Sequence, residues 1–545
     1  MYTVKIDNKE IQYQENMLLK DIAESLGKKA YVAKVNNRLR ELGYYVNYDC
    51  EIEFLDLSNF EAVAVYETSL RYLIVMALRR LYPKVKVRFN QDASRSLSCD
   101  IKGIDEKIDI KFIEKLKNEM DELVRLDLPI NRRKLSIDEA VSLYKEHGYF
   151  DKTDILKYRP EKTVNVYECD GYINYMFGYM VPSTGYLDKF NLLPYHPGFL
   201  IQYPRAETKG EIPEFEDSPR FGKMLIEARQ WAEISEGDSI TKINRHSERG
   251  TINDFVNMCE TKHNNMLAEL GLIIKEDIDN IRLIAIAGPS SSGKTTFSNR
   301  LRIELMTRGI KPVKISMDDY YLNREQAPKA EDGSYDLEHV EALDIELFNE
   351  HLLALIQGET VELPSFDFKL GKRVRGHKVR VKENQPIIIE GIHALNEKLT
   401  HLIPKHQKFK IYISPLSQIN IDNHTPISST NVRLLRRMVR DAEYRKTSAV
   451  ETLKMWPSVR SGEFKWIYPF QEQADYVFNT ALSYELGVLK KYALPILEEI
   501  NRENEYFIQA NRLVKFLKYY KDIDDSLVPS TSLLREFIGG SVFRE

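Results

Sequence analysis

The stretch Leu283–Thr296, LIAIAGPSSSGKTT, constrains this chain more than any other. Five apolar residues, Leu283 to Ala287, predict a buried parallel strand. The strand runs straight into Gly288-Pro289-Ser290-Ser291-Ser292-Gly293-Lys294-Thr295, which fits the phosphate-loop pattern at every fixed position. The chemistry accounts for the spacing. Two glycines let the backbone curl so that successive N–H groups, on to Thr296, turn toward a polyphosphate, and the following helix adds its positive end. Lys294 reaches the outer phosphates, and the Thr295 hydroxyl suits a Mg²⁺ that bridges them. A helix-compatible run, Phe297–Arg308, follows and is closed by Gly309. These residues imply a nucleoside triphosphate site.

At 545 residues the chain has room for about three or four domains. A net charge of −4 gives no global pull toward nucleic acid or anionic membrane. Cys50, Cys99, Cys169 and Cys259 show no C-x-x-C spacing and read as reduced thiols. No signal peptide is visible, and no apolar run approaches the ~18–20 residues of a membrane span. A cytoplasmic protein without membrane contact is expected.

The first residues alternate. Tyr2–Asp7 and Glu10–Tyr13 read as strands around an Asp-Asn-Lys turn, a helix over Leu18–Leu26 stops at Gly27, and Tyr31–Val35 and Cys50–Leu55 alternate again. Residues 1–59 suggest a β-grasp domain and resemble the TGS module found at the front of threonyl-tRNA synthetases. A generic α+β domain is the plainer alternative. Glu67–Tyr82 then carries apolar residues on one helical face, Val85–Phe89 and Ser98–Ile101 read as strands, and Ser136-Ile-Asp-Glu139 is a capping box.

That order, over residues 60–220, resembles the second additional domain of threonyl-tRNA synthetases, an editing-like α+β domain. In the family an H-x-x-x-H pair and a later Cys and His converge on a metal-capable site. Here Thr68, Tyr72, Met176 and Met180 fall on those positions, and none replaces imidazole or thiolate as a ligand. The resemblance therefore implies a domain silent for editing, with a cleft for RNA or a regulatory ligand. No class II synthetase core is recognisable downstream, so aminoacylation is not expected. Helical patterns at Gly222–Glu233 and Asp254–Leu270, the second capped by Thr251 and closed by Gly271, make 221–280 a connector.

Past the phosphate loop, Pro312–Ser316 reads as a strand ending in Met317-Asp318-Asp319-Tyr320-Tyr321. Acids at the carboxyl end of such a strand suit catalysis, and adjacent side chains on an extended segment diverge. One therefore reaches the site while the other caps a helix. Pro386–Glu390 is another buried strand ending in a carboxylate, placed to orient Mg²⁺-bound water. Lys372–Lys382 alternates basic and apolar residues around Gly376 as a solvated hairpin, with a charged sheet edge as the alternative. Asn431–Arg445 is a basic helix with Arg433, Arg436, Arg437, Arg440 and Arg445.

Together these segments resemble the uridine kinase and phosphoribulokinase group, over residues 281–500 in a P-loop parallel-sheet fold. The resemblance implies ATP and Mg²⁺ as cofactors. It selects Asp318 as acceptor of the substrate hydroxyl proton and places Tyr321 near the nucleoside. It puts Glu338, with Asp336 as the other candidate, on the sugar hydroxyls. Phe366 and Phe368 would wall a base pocket, Arg373 would face substrate, and Gly371 replaces a base-reading histidine. Arg440 and Arg445 would clamp phosphates beside Lys294. Residues 501–545 form a helical extension.

The expected fold class is multidomain α+β and α/β. The expected activity is transfer of the γ-phosphoryl of ATP to the 5′-hydroxyl of a ribonucleoside. The rival is an ATP-regulated RNA- or ribosome-associated protein, while a GTPase lacks support because no N-K-x-D motif follows the loop. A homo-oligomer is compatible with either.

Overall fold

A computed structural model describes residues 1–7, 9–91, 95–330, 333, 335–367, 370–382 and 385–543. The opening segment folds as β1 (Tyr2–Ile6), β2 (Lys9–Tyr13), α1 (Leu19–Ser25), β3 (Val32–Val35), β4 (Arg38–Arg40) and β5 (Cys50–Leu55). The sheet order is β2-β1-β5-β3-β4, with β1 and β5 parallel at its centre. Alternation puts Val4, Ile6, Val35 and Ile52 on one face, where they bury Leu19 and Ile22 of α1. This is a β-grasp arrangement.

Next come α2 (Phe60–Leu81), β6 (Lys86–Gln91), β7 (Leu97–Lys102), α3 (Ile110–Leu126), β8 (Asn131–Ser136), α4 (Ile137–Glu146) and α5 (Phe150–Leu156). β9 (Thr163–Cys169), β10 (Tyr172–Asn174), β11 (Asn191–Tyr195) and β12 (Gly198–Gln202) complete this part. Two sheets result, β11-β12-β7-β6 and β8-β9-β10. α2 begins at Phe60, well ahead of the expected Glu67, because the Asn59 side chain caps the N–H of Glu61. The capping box at Ser136–Glu139 forms as the sequence predicts.

Three helices follow: α6 (Pro219–Ile234), α7 (Ile240–Glu248) and α8 (Ile252–Glu276). α8 runs straight through Gly271, contrary to the expected stop there. Its buried stripe of Met266, Leu267, Leu270 and Ile274 continues past the glycine, and packing on the next domain outweighs glycine's propensity cost of about 1 kcal/mol. Thr251 precedes the helix but makes no side-chain cap bond.

The remaining sheet uses β13 (Leu283–Ala287), β14 (Val313–Ser316), β17 (Ile387–Glu390), β18 (Lys408–Ser414) and β19 (Tyr476–Asn479), in the order β14-β17-β13-β18-β19. Every pairing is parallel. Between β14 and β17 lie α10 (Ile345–Ile356) and a two-stranded ribbon, β15 (Thr360–Asp367) with β16 (Lys372–Arg380). The expected hairpin turn at Gly376 is therefore corrected. Gly376 lies within β16, whose alternating charges line one strand of the ribbon, and the chain reverses before Lys372.

α9 (Lys294–Thr307), α11 (Ser429–Arg445), α12 (Ala449–Trp466), α13 (Glu485–Glu498), α14 (Phe507–Leu517) and the short α15 (Arg535–Ile538) surround the sheet. The segment between β18 and α11 leaves this domain and locks into the front half. Asn420 Nδ2 donates to the Phe89 carbonyl at 2.8 Å, and Lys152 pairs with Asp422 at 3.1 Å with both side chains fully buried. The architecture is multidomain, with a phosphate-loop parallel sheet as its largest α/β part. Among the described residues no helix is long and apolar enough to cross a membrane.

Candidate active site

The phosphate loop leaves β13, the central strand, and enters α9. Gly293 adopts φ 92°, open to glycine at little cost, and a Cβ at Gly288 would sit 2.2 Å from the Ile413 carbonyl oxygen. The Lys294 ammonium folds over the loop and donates to the carbonyls of Gly288 at 3.0 Å and Pro289 at 3.2 Å. Burial lowers its pKa, against the opposing pull of Glu390 and Asp318.

Thr295 Oγ1 donates to Glu390 Oε1 at 3.4 Å, joining the loop to the tip of β17. Burial lifts the Glu390 carboxyl above its ordinary range, and Lys314 Nζ, 3.8 Å away, opposes the shift. A hydroxyl beside a buried carboxylate fits Mg²⁺, which takes one or two protein oxygens and completes its shell with phosphates and water. Pro289, Ser290, Ser291, Ser292 and Thr296 fill the rest of the loop and the first turn of α9.

β14 ends in a short 3₁₀ turn, Met317–Tyr320, which separates the two acids. Asp318 faces Lys294, Arg445 and Arg440; burial raises its pKa while these cations pull the other way. Asp319 is not the exposed helix cap the sequence suggested. It accepts hydrogen bonds from the Phe366 N–H at 3.1 Å and Ser365 Oγ at 3.4 Å, fastening the ribbon to the strand tip. The 3₁₀ turn makes consecutive side chains diverge, which explains the split.

Tyr321 is half-buried beside both Asp318 and Glu338, and its ring lies 5.7 Å from that of Phe366. Of the two candidate acids, Glu338 lies close to Arg437, Lys294 and Asp318. Asp336 instead accepts the Glu338 N–H at 3.2 Å and shapes that turn. Phe368 lies outside the described residues. Arg373, the expected substrate contact, donates to Asp344 at 3.0 Å and to the carbonyls of Tyr320 and Tyr321 at 3.1 and 3.3 Å, which braces the loop that carries Asp318, while its buried Nε has no protein partner among the described residues.

Arg440 and Arg445 flank the buried Asp441 at 3.5 and 3.3 Å. The face of α11 turned to the loop holds other arginines. Arg437 donates to Ser290 Oγ at 2.8 Å, Arg433 to the Ser290 carbonyl at 3.3 Å, and Arg436 to the Ser291 carbonyl at 3.4 Å. Their i, i+3, i+4 spacing was the signal that could have marked them, since it puts three guanidiniums on one helical face. His393 was missed as well. It is buried beyond β17, where burial pushes its pKa down to about 3 and leaves a neutral imidazole near Lys294.

Residues 283–485 match the Phosphoribulokinase / Uridine kinase family. The match begins at β13 and spans the phosphate loop, Asp318, Glu338, Glu390 and the arginines of α11, so this kinase-family domain contains the whole site. The front half is similar to threonine–tRNA ligases. That of Carboxydothermus hydrogenoformans is 30% identical over 199 residues, covering 35% of this chain and 31% of that one. That of Rubrobacter xylanophilus is 29% identical over 197 residues, covering 35% and 30%. The chain thus spans about a third of the length of these curated relatives.

Among solved structures, a possible uridine kinase from Bacillus stearothermophilus is 18% identical with TM-score 0.25, covering 38% of this chain and 99% of that chain. D-glycerate 3-kinase from Cryptococcus neoformans var. grubii is 14% identical with TM-score 0.21, covering 46% and 87%. In the front half, the positions expected to have lost metal ligands make internal contacts. Thr68 donates to the Ala64 carbonyl, Tyr72 to the carbonyls of Tyr167 and Tyr172, and Met176 and Met180 are buried.

Proposed function

We propose that the protein is an ATP-dependent nucleoside kinase, transferring the γ-phosphoryl group to the 5′-hydroxyl of a ribonucleoside. The observation that carries this reading is the placement of the Asp318 carboxylate opposite Lys294, Arg440 and Arg445, at the strand tip beside the phosphate loop. An acid there accepts the proton of an attacking alcohol while the cations hold the phosphate chain. Glu338, with Tyr321 and Phe366 beside it, supplies an acceptor and flat walls for a sugar and its base. A buried carboxylate that accepts two vicinal hydroxyls favours ribose, because a deoxyribose leaves an acceptor unpaired.

Thr295 and Glu390 would hold Mg²⁺, which when bound neutralises charge on the bridged phosphates. The loop N–H groups from Gly288 to Thr296 orient the triphosphate, and Arg440 and Arg445 close over it.

The test is transfer of labelled γ-phosphate from ATP with Mg²⁺ to a panel of ribonucleosides, deoxyribonucleosides, simple sugars and glycerate, with Asp318→Asn as control. Labelling of a ribonucleoside above all other acceptors supports the reading. Labelling of a sugar or acid alone overturns it in favour of another alcohol. The likeness of the front half to threonine–tRNA ligases favours a second reading, an RNA-associated protein regulated by ATP. No transfer to any acceptor, with tight RNA binding, would support that one.

A further inference from the structure

A cavity of about 430 Å³ lies away from the phosphate loop, at a seam between three parts of the chain. β4 of the β-grasp domain, the start of α2, the 175–179 loop after β10, and α14 of the C-terminal extension each supply one wall. Segments so distant in sequence meet here to enclose a hollow rather than a packed core. Its size falls within the range of about 300–1,000 Å³ that small-molecule sites occupy.

The charge of the lining is one-sided. Arg38, Arg40, Arg159, Arg512 and Lys515 face Glu61 and Glu161 alone, in a chain whose net charge is −4. Both carboxylates are already engaged. Arg512 grips Glu61 through both oxygens at 2.8 Å, and Glu161 lies 3.5 Å from Arg159 Nε. That leaves three cations over. Among the described residues Arg38 and Lys515 have no hydrogen-bond or ion-pair partner, and Arg40 Nε is buried without one. Gathering like charges in a partly desolvated hollow is unfavourable unless an anion compensates them. Arg38 and Lys515 keep contact with solvent and Arg40 is half-buried; partial desolvation lowers the Lys515 ammonium, Glu161 opposes this, and Arg159, Arg40 and Arg132 press it further down.

The other walls are flat and apolar. Tyr175, Phe177, Tyr179, Phe507 and Tyr519 line the same cavity. The Tyr519 hydroxyl accepts from Arg159 at 2.6 Å, which fixes one ring at the edge of the cationic patch. Cations beside an aromatic wall suit a ligand that carries both a phosphate and a planar ring.

We propose that this cavity is a binding site for a free nucleoside phosphate, separate from the kinase-family site. The phosphate lies among Arg38, Arg40 and Lys515, and the base stacks on the aromatic wall. The reading needs no kinase activity and stands or falls by itself. The cavity also has a route to the phosphate loop. α14 packs on α13, whose Glu485 holds Arg436 of α11, and Arg436 touches the Ser291 carbonyl.

The test is calorimetric titration of the full chain carrying Lys294→Ala, which weakens the phosphate-loop site, with UMP, AMP, GDP and inorganic phosphate. One nucleoside phosphate is expected to bind this variant, and adding Arg40→Ala with Lys515→Ala should weaken it at least tenfold. Arg38→Ala, at an exposed position, serves as a second variant should the pair disturb folding, and circular dichroism checks each protein. Absence of binding, or binding indifferent to all three substitutions, overturns the proposal. Equal affinity for inorganic phosphate removes the base from it and overturns it in that form. Tighter binding of a short single-stranded RNA than of any mononucleotide overturns it in favour of an RNA end.

Discussion

The carboxylate of Glu536, on α15, accepts a hydrogen bond from the backbone N–H of Thr296 at 2.9 Å. Thr296 is the third residue of α9, so its N–H is one of the donors that a helix start leaves without an internal partner. A triphosphate in the loop would call on the same donors. Leu533 packs beside Gly293, which seats α15 on the loop, and the charge of Glu536 reaches Lys294 and Glu390. An acid from the C-terminal extension therefore stands where the proposed co-substrate needs positive potential.

Neutralising that acid should tighten ATP binding. A charge at a helix start is worth about 0.3–2 kcal/mol, so Glu536→Gln should lower the dissociation constant by up to roughly thirtyfold. Titration of wild-type and variant protein with ATP in the absence of Mg²⁺ reads this directly. A weaker complex in the variant would mean that Glu536 supports the nucleotide instead of competing with it.

Asp318→Asn should remove the proton acceptor and leave the phosphate contacts in place. General-base catalysis is worth about 10²–10⁴ in rate, and kcat should fall by that factor. ATP affinity should hold or improve, because one negative charge leaves the vicinity of the triphosphate. Single-turnover kinetics beside equilibrium ATP binding separate the two effects, and a variant of unchanged kcat would remove Asp318 from the chemistry.

Most of the kinase-family domain was legible from local signals. The β13 apolar run, the glycine spacing of the loop and the strand tips at Ser316 and Glu390 are each short and self-contained, so the strand–loop–helix unit could be read without tertiary contacts. What escaped was tertiary. The side of α11 that meets the loop depends on helix rotation, which places Arg437 on Ser290 while Arg440 and Arg445 gather around Asp441. The family resemblance turns Arg373 toward substrate, and nothing in its strand announces that Asp344 folds back to meet its charge. Likewise nothing in the 419–427 segment announces that it is buried against Phe89 and Lys152.

The Arg436–Glu485 pair should be a point of fragility. Arg436 is fully buried and Glu485 nearly so, with Nε to Oε2 at 2.5 Å and a further donation from Arg436 to the Thr480 carbonyl at 2.8 Å. Removing one partner leaves a charge in a dry interior, which costs about 3–5 kcal/mol. Glu485→Ala should lower unfolding stability by that amount in urea. Replacing both residues by apolar ones of similar volume should cost much less, and equal losses in the two cases would show that packing matters more than charge.

The pH dependence of acceptor binding should report Glu338. Burial raises its carboxyl from 4.5 to about 7; Arg437 of α11 and Lys294 of α9 oppose the shift, while Glu463 of α12 and Asp318 beyond β14 add to it. The close approach of α12 depends on Gly462, where a Cβ would lie 2.5 Å from that of Glu338. For folding, a raised acid contributes stability that is present below about 4.5 and is lost as pH rises through about 7. Substrate binding runs the opposite way, because accepting two sugar hydroxyls requires the carboxylate. From pH 8 to pH 6 the ionised fraction falls roughly tenfold, and kcat/KM for the nucleoside, which reports the free enzyme, should fall with it. In Glu338→Gln the amide cannot titrate, so kcat/KM should be lower at pH 8 and should lose this limb of the profile. An unchanged acid limb in the variant would assign the titration to another group and take Glu338 off the sugar.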